Sequence, residues 1–171
     1  MDYADNGDLD QKIAGYKQSK QFMPEAEIWH YFVQMVRGLQ ALHDMNIVHR
    51  DIKSANMFMN HSGLLKLGDM NVSKEAKRGF LSTQTGTPYY ASPEVWRDRP
   101  YDVKSDLWSL GCVLYEMCTL GPPFQAKDMN GLCQKILKGS YPQIPSVYSS
   151  DLQSMIRAML QQQPLSRPSC S

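Results

Sequence analysis

The sequence predicts a mainly α-helical, α+β domain in which a small β-hairpin interrupts a set of packed helices. Three observations predict it. Pro24 to Met45 carries apolar residues at Ile28, Phe32, Met35, Val36, Leu39 and Leu42, a helical period. Met57-Phe58-Met59 and Leu64-Leu65-Lys66-Leu67 are short apolar runs on either side of Asn60-His61-Ser62-Gly63, a hairpin turn signal. Leu107, Leu110, Val113, Leu114 and Met117 predict a central buried helix that opens in the run after Asp102 and ends near Leu120.

Each element has a local reason. The N-terminal run Met1 to Leu9 is polar, and Asp8 is suited to cap a following helix. Pro24 fits the first turn of the next helix, where a missing amide donor costs nothing. That helix ends near Asn46 and delivers the chain into Ile47-Val48-His49. Gly121-Pro122-Pro123-Phe124 stops the central helix, and a further helix is expected near Met129 to Lys138.

At 171 residues the chain fits one domain, and an apolar content of 42% is adequate for a core. A net charge of +1, without basic or acidic runs, argues against a nucleic-acid or acidic-membrane partner. No 18-residue apolar stretch or secretory signal is present, so no membrane insertion and a cytoplasmic or nuclear setting are expected. Cys112, Cys118, Cys133 and Cys170 form no C-x-x-C pair and read as reduced thiols, two of them along the apolar helix. His30, His43 and His61 read as helix-surface or turn residues, with no metal-ligand spacing between them.

Between the first long helix and the hairpin lies His49-Arg50-Asp51-Ile52-Lys53-Ser54-Ala55-Asn56, and Asp69 follows the hairpin. This octet with its second aspartate resembles the catalytic loop and magnesium-binding site of protein kinases. The resemblance covers nearly the whole chain and implies the α+β protein-kinase fold, specifically the helical C-terminal lobe with its hairpin at the catalytic cleft. It implies that Asp51 accepts the proton of a substrate hydroxyl and that Lys53 neutralises charge on the transferred phosphoryl. Asn56 and Asp69 would hold Mg2+ from opposite sides of a cleft that binds ATP. A solvated loop carboxylate is the bland alternative for Asp51. Lys53 and Asn56, at the offsets phosphoryl transfer requires, argue against it. His49 and Arg50 are implied to be structural: His49 packs beneath the magnesium loop, and Arg50 pairs with a phosphorylated residue.

The same resemblance extends outward. Met1 to Leu9 is similar to the hinge between kinase lobes, with backbone groups near Asp2 and Ala4 at the adenine edge and Asp8 near the ribose. Leu67-Gly68-Asp69-Met70-Asn71-Val72 stands where kinases usually carry Asp-Phe-Gly; Met70 can pack in place of Phe, and Asn71 tolerates positive φ. Ser82 to Glu94 resembles the end of an activation segment, with Ser-Pro-Glu in place of Ala-Pro-Glu. There Thr87 would bond across to Asp51 and Lys53, and Ser82, Thr83 and Thr85 are candidate phosphosites. An ordinary polar loop is the alternative for any single hydroxyl. Asp106 is implied to anchor the catalytic-loop backbone from below, and Arg167 to pair with Glu94. The region from Thr87 to Glu94 and the helix near Met129 to Lys138 would set peptide preference.

Lys53-Ser54-Ala55-Asn56 fits Ser/Thr rather than tyrosine specificity. With Gly68 to Lys74 and Gly86-Thr87-Pro88-Tyr89-Tyr90, it resembles the NIMA-related (Nek) family. This implies protein substrates with Ser/Thr acceptors, regulatory or cytoskeletal partners engaged by other regions, and association with the centrosome, basal body or cilium. Residues 1–171 contain no glycine-rich phosphate loop, no strand lysine and no helix glutamate to pair with it, and they stop short of a last helix. The expectation is a partial protein kinase domain over 1–171, hinge and C-lobe without N-lobe, with little or no activity when made alone. A fragment of an active kinase and a non-catalytic kinase-like C-lobe binding module both stay open. Intact Asp51, Lys53, Asn56 and Asp69 favour the first; an initiating Met1 favours the second. A nucleotide-binding protein without kinase chemistry is disfavoured, because the phosphate-cradling loop is absent.

Overall fold

A helix hydrophobic on every side must be buried on every side, and α4, Val103–Thr119, organises the fold for that reason. The computed structural model describes residues 7–68 and 88–170, and in it every residue from Ser105 to Cys118 is buried. Asp102 and Ser105 close a reciprocal capping box at the start of α4, and Leu120 ends it in the left-handed conformation. The helix packs against α2, Glu25–Asp44, and against α6, Ser150–Met159. Gly111 permits the second contact: a Cβ there would lie 2.8 Å from Met159 Cβ.

The remaining elements frame this core. Helix α1, Leu9–Ser19, starts at Asp8, whose Oδ1 accepts from Gln11 N at 2.8 Å. A 3₁₀ turn at Ser54–Asn56 leads into β1, Met57–Met59, which pairs antiparallel with β2, Leu65–Leu67. The register is Met57 opposite Leu67 and Met59 opposite Leu65. Asn60 Oδ1 accepts from Ser62 N and Leu64 N, and Gly63 takes φ +79°, so the turn residues act as their chemistry suggests. Met59 N donates to Gly7 O and Leu65 N to Gln34 Oε1, which fastens the hairpin to the start of α1 and to α2. Then follow α3, Pro93–Trp96, α5, Met129–Lys138, and a second 3₁₀ turn at Pro164–Ser166.

The expected elements are present with their expected bounds to within a residue or two, and α3 and α6 are additional to them. The buried face of α2 comprises Ile28, Tyr31, Phe32, Met35, Leu39 and Leu42, with Val36 only half-buried. Tyr31 qualifies because its ring packs in the core while its hydroxyl reaches Glu27 at 3.3 Å. Among the described residues, no helix is long and apolar enough to cross a membrane.

Candidate active site

Loop 47–56 leaves the end of α2 and carries the polar octet across the face of α4 toward the hairpin. At its tip, three side chains converge. Lys53 Nζ and Asn56 Nδ2 each donate to Asp51 Oδ2 at 2.9 Å, and Asn56 Nδ2 also donates to the Asp51 carbonyl at 2.8 Å. Among the described residues, Asp51 Oδ1 accepts no hydrogen bond. With both amide hydrogens of Asn56 committed to Asp51, its Oδ1 is the atom left to ligate a cation, and an amide oxygen suits a hard ion such as Mg2+.

The loop's root is held from below. Asp106, fully buried on α4, accepts from His49 N through Oδ2 at 2.9 Å and from Arg50 N through Oδ1 at 3.0 Å. Tyr101 OH donates to Oδ1 at 2.8 Å, and His43 Nε2 lies 2.9 Å from Oδ2. Arg50 takes φ +70°, a strained conformation for a residue with a side chain, and these anchors hold it there.

The two histidines beside Asp106 carry opposite protonation states at neutral pH. Burial pushes His43 down, but its hydrogen bonds and attraction to Asp106 and Cys170 outweigh that and raise it to about 9. Burial pushes His49 below the usual histidine value, in keeping with its Nδ1 accepting from Asp51 N at 3.3 Å. His43 is therefore the cation and His49 the neutral acceptor.

Two further buried contacts fix the chain around the loop. Arg167 grips Glu94 in a bidentate pair, Nη1 to Oε1 at 2.7 Å and Nη2 to Oε2 at 2.8 Å, and Ser105 Oγ also donates to Glu94. Burial works against the Glu94 charge, yet Arg167 and Ser105 hold its carboxyl below the usual range. Arg167 lies over the Trp108 ring at 5.1 Å. Nearer the tip, Tyr90 OH donates to Glu116 Oε2 at 2.8 Å and sits 3.1 Å from Ser54 Oγ. Burial raises Glu116 above the usual carboxylate value, so this carboxyl resists ionisation.

Of the sequence-predicted residues, the structure brings Asp51, Lys53 and Asn56 together at the tip, His49, Arg50 and Asp106 at the root, and Glu94 with Arg167. Asp8 is the cap of α1, the alternative that its polar surroundings had left open beside a ribose contact. Asp2, Ala4, Asp69, Ser82, Thr83, Thr85 and Thr87 lie outside the described residues. His43 departs from expectation: it is no surface histidine, its side chain being 11% exposed and bound to Asp106. Tyr101 and the Ser54–Tyr90–Glu116 contact are likewise additional to the residues that sequence reasoning singled out. Their one signal is Glu116 itself, a carboxylate inside the apolar run of α4.

Comparison with known proteins gives the chain a family. The family described as protein kinase domain matches residues 1–171. The chain is 43% identical to mouse serine/threonine-protein kinase Nek4 over 99% of its length, covering 21% of that protein. It is 43% identical to mouse serine/threonine-protein kinase Nek3 over 100% of its length, covering 34% of it. With the probable serine/threonine-protein kinase nek3 of Dictyostelium discoideum, identity is 45% over 99% of the chain and 16% of the relative. The chain thus spans from 16% to 34% of the length of these relatives, which it resembles as NIMA-related (Nek) kinases.

Proposed function

The chain belongs to the protein kinase family, and from that premise we propose that it carries the catalytic half of an ATP-dependent Ser/Thr kinase. The observation that supports this best is the tip of the loop: a carboxylate oriented through one oxygen by Lys53 and Asn56, with its other oxygen left to meet a substrate hydroxyl. Asp51 takes the hydroxyl proton through Oδ1. Lys53, 37% exposed at its side chain, keeps Asp51 in place and offsets charge on the phosphoryl group in flight. Asn56 Oδ1 and Asp69 are the candidate Mg2+ ligands, and Mg2+ when bound neutralises charge on the ATP phosphates. Backbone groups of Asp2 and Ala4 meet the adenine, Asp8 meets the ribose through Oδ2 while its Oδ1 caps α1, and Thr87 aligns with Asp51 and Lys53. Phosphorylation at Ser82, Thr83 or Thr85 would give Arg50 an anion to hold.

We further propose that the glycine loop, strand lysine and helix glutamate come from a second lobe, so that residues 1–171 alone transfer little phosphate. The relatives' greater length supports this. Placement at the centrosome, basal body or cilium rests on the resemblance to Nek kinases, and imaging of the tagged protein tests it.

The activity test is transfer of labelled γ-phosphate from Mg-ATP to a Ser/Thr-rich protein by this lobe joined to a kinase N-lobe. The expected result is activity that Asp51→Ala lowers about 10²- to 10⁴-fold, the range of a general base. Activity unchanged by Asp51→Ala would overturn the role of Asp51. No activity in either protein would favour the binding module. Robust transfer by residues 1–171 alone would overturn only the need for a second lobe.

A further inference from the structure

The segment after the second 3₁₀ turn is pinned at two points, one on α3 and one on α4. Arg167 is locked to Glu94, and Lys104 Nζ donates to the carbonyls of Arg167 at 2.8 Å and Pro168 at 2.9 Å. So held, the chain brings Cys170 Sγ to 3.9 Å from His43 Nδ1. His43 Nε2 is 2.9 Å from Asp106 Oδ2, the oxygen that also accepts the His49 amide. A thiol, an imidazole and a buried carboxylate therefore stand in line, ending on the backbone of the catalytic loop. His43 is raised to about 9, so at neutral pH both ring nitrogens carry protons: Nε2 donates to Asp106 and Nδ1 directs positive charge at the sulfur. Thiols beside a histidine cation are the ones that react.

The other cysteines lack this setting. Cys112 and Cys118 are buried within α4, and burial pushes both thiols up, Cys118 to about 12. Cys133 is half-buried on α5 and makes no hydrogen bond or ion pair among the described residues.

We propose that Cys170 is a site of covalent modification, reactive toward peroxides and soft electrophiles, and that its state is passed through His43 and Asp106 to the catalytic loop. With a peroxide, the sulfur attacks one oxygen and the S–O bond forms as the O–O bond breaks. The departing hydroxide takes a proton from His43 Nδ1, which the thiol proton replaces. The products are a sulfenic acid and water, with sulfur oxidised by the two electrons that reduce the peroxide. With iodoacetamide, sulfur bonds to carbon as the C–I bond breaks, iodide leaves, and the thiol proton passes to water. Either product removes the thiol partner of Nδ1 and adds bulk in a half-buried place, loosening His43 from Asp106.

Limiting iodoacetamide at pH 7, followed by peptide mass spectrometry of the 171-residue chain, tests the reactivity. Cys170 is expected to react about tenfold faster than Cys133, and His43→Gln to bring it down to the Cys133 rate. Equal rates in the unaltered chain, or a Cys170 rate unchanged in a folded His43→Gln variant, would overturn the proposal. Peroxide followed by dimedone should trap Cys170; capture at Cys133 instead, or at neither, would overturn the oxidant half. The coupling is read without any variant, by NMR titration of His43: alkylating Cys170 should lower its midpoint. A midpoint that stays in place would contradict transmission to Asp106.

Discussion

Two aspartates serve the same loop and are treated in opposite ways. Asp106 is fully buried and surrounded: two backbone amides, a tyrosine hydroxyl and an imidazolium share its two oxygens. Asp51 is 14% exposed at its side chain, and its two side-chain partners among the described residues converge on Oδ2. A carboxylate with every lone pair engaged holds structure, because taking a proton there would break several hydrogen bonds at once. A carboxylate oriented through one oxygen keeps the other for a reacting group. The root of the loop uses its charge for position; in the proposed function, the tip keeps its charge for chemistry.

Removing the root should cost most. Asp106→Ala leaves the amides of His49 and Arg50, the Tyr101 hydroxyl and the His43 cation without their acceptor, and should destabilise the chain by about 3–5 kcal/mol in urea unfolding. A loss near zero would mean that the root does not carry the loop.

Deprotonating the root comes next. His43 is raised from 6.5 to about 9, so its stabilisation is complete below pH 6.5 and is lost as pH rises through 9. The groups facing it are Asp106 and Cys170. The stability difference between the unaltered chain and His43→Gln should therefore shrink by roughly 3 kcal/mol between pH 6 and pH 10. A difference that is flat with pH would show that His43 is not the cation of the root.

Smaller effects sharpen the contrast. Asp102→Ala removes the cap of α4 just below the root, while Asp106 itself remains, and should cost about 1 kcal/mol. Asp51→Asn should change folding stability by less than about 0.5 kcal/mol, because buried Asn56 keeps the Asp51 carbonyl as an acceptor and Lys53, 37% exposed, turns to water. A large loss there would make the tip a second root.

What the sequence discloses follows the range of the forces involved. Helix α2, the hairpin, α4 and α5 are periodic or turn-bounded, so neighbours in sequence decide them. The four-residue α3 spans barely one helical turn, too little to show a repeating pattern, and Leu152, Ile156 and Met159 of α6 mark a buried face only once α4 is there to cover them. The site divides in the same way. Asp51, Lys53 and Asn56 meet across five residues of one loop, and their convergence is written into the spacing. His43 meets Asp106 across 63 residues, and no local pattern separates it from an exposed helix histidine. The Arg167–Glu94 pair spans 73 residues and is legible only through the family resemblance of its two motifs.

The division between root and tip is tested most directly by amide hydrogen exchange at His49 and Arg50, compared among the unaltered chain, Asp106→Asn and Asp51→Asn. Asp106→Asn should speed both amides by at least about a hundredfold, the equivalent of about 3 kcal/mol of lost anchoring, while Asp51→Asn leaves them as they were. Equal acceleration in both variants, or none in Asp106→Asn, would contradict the account.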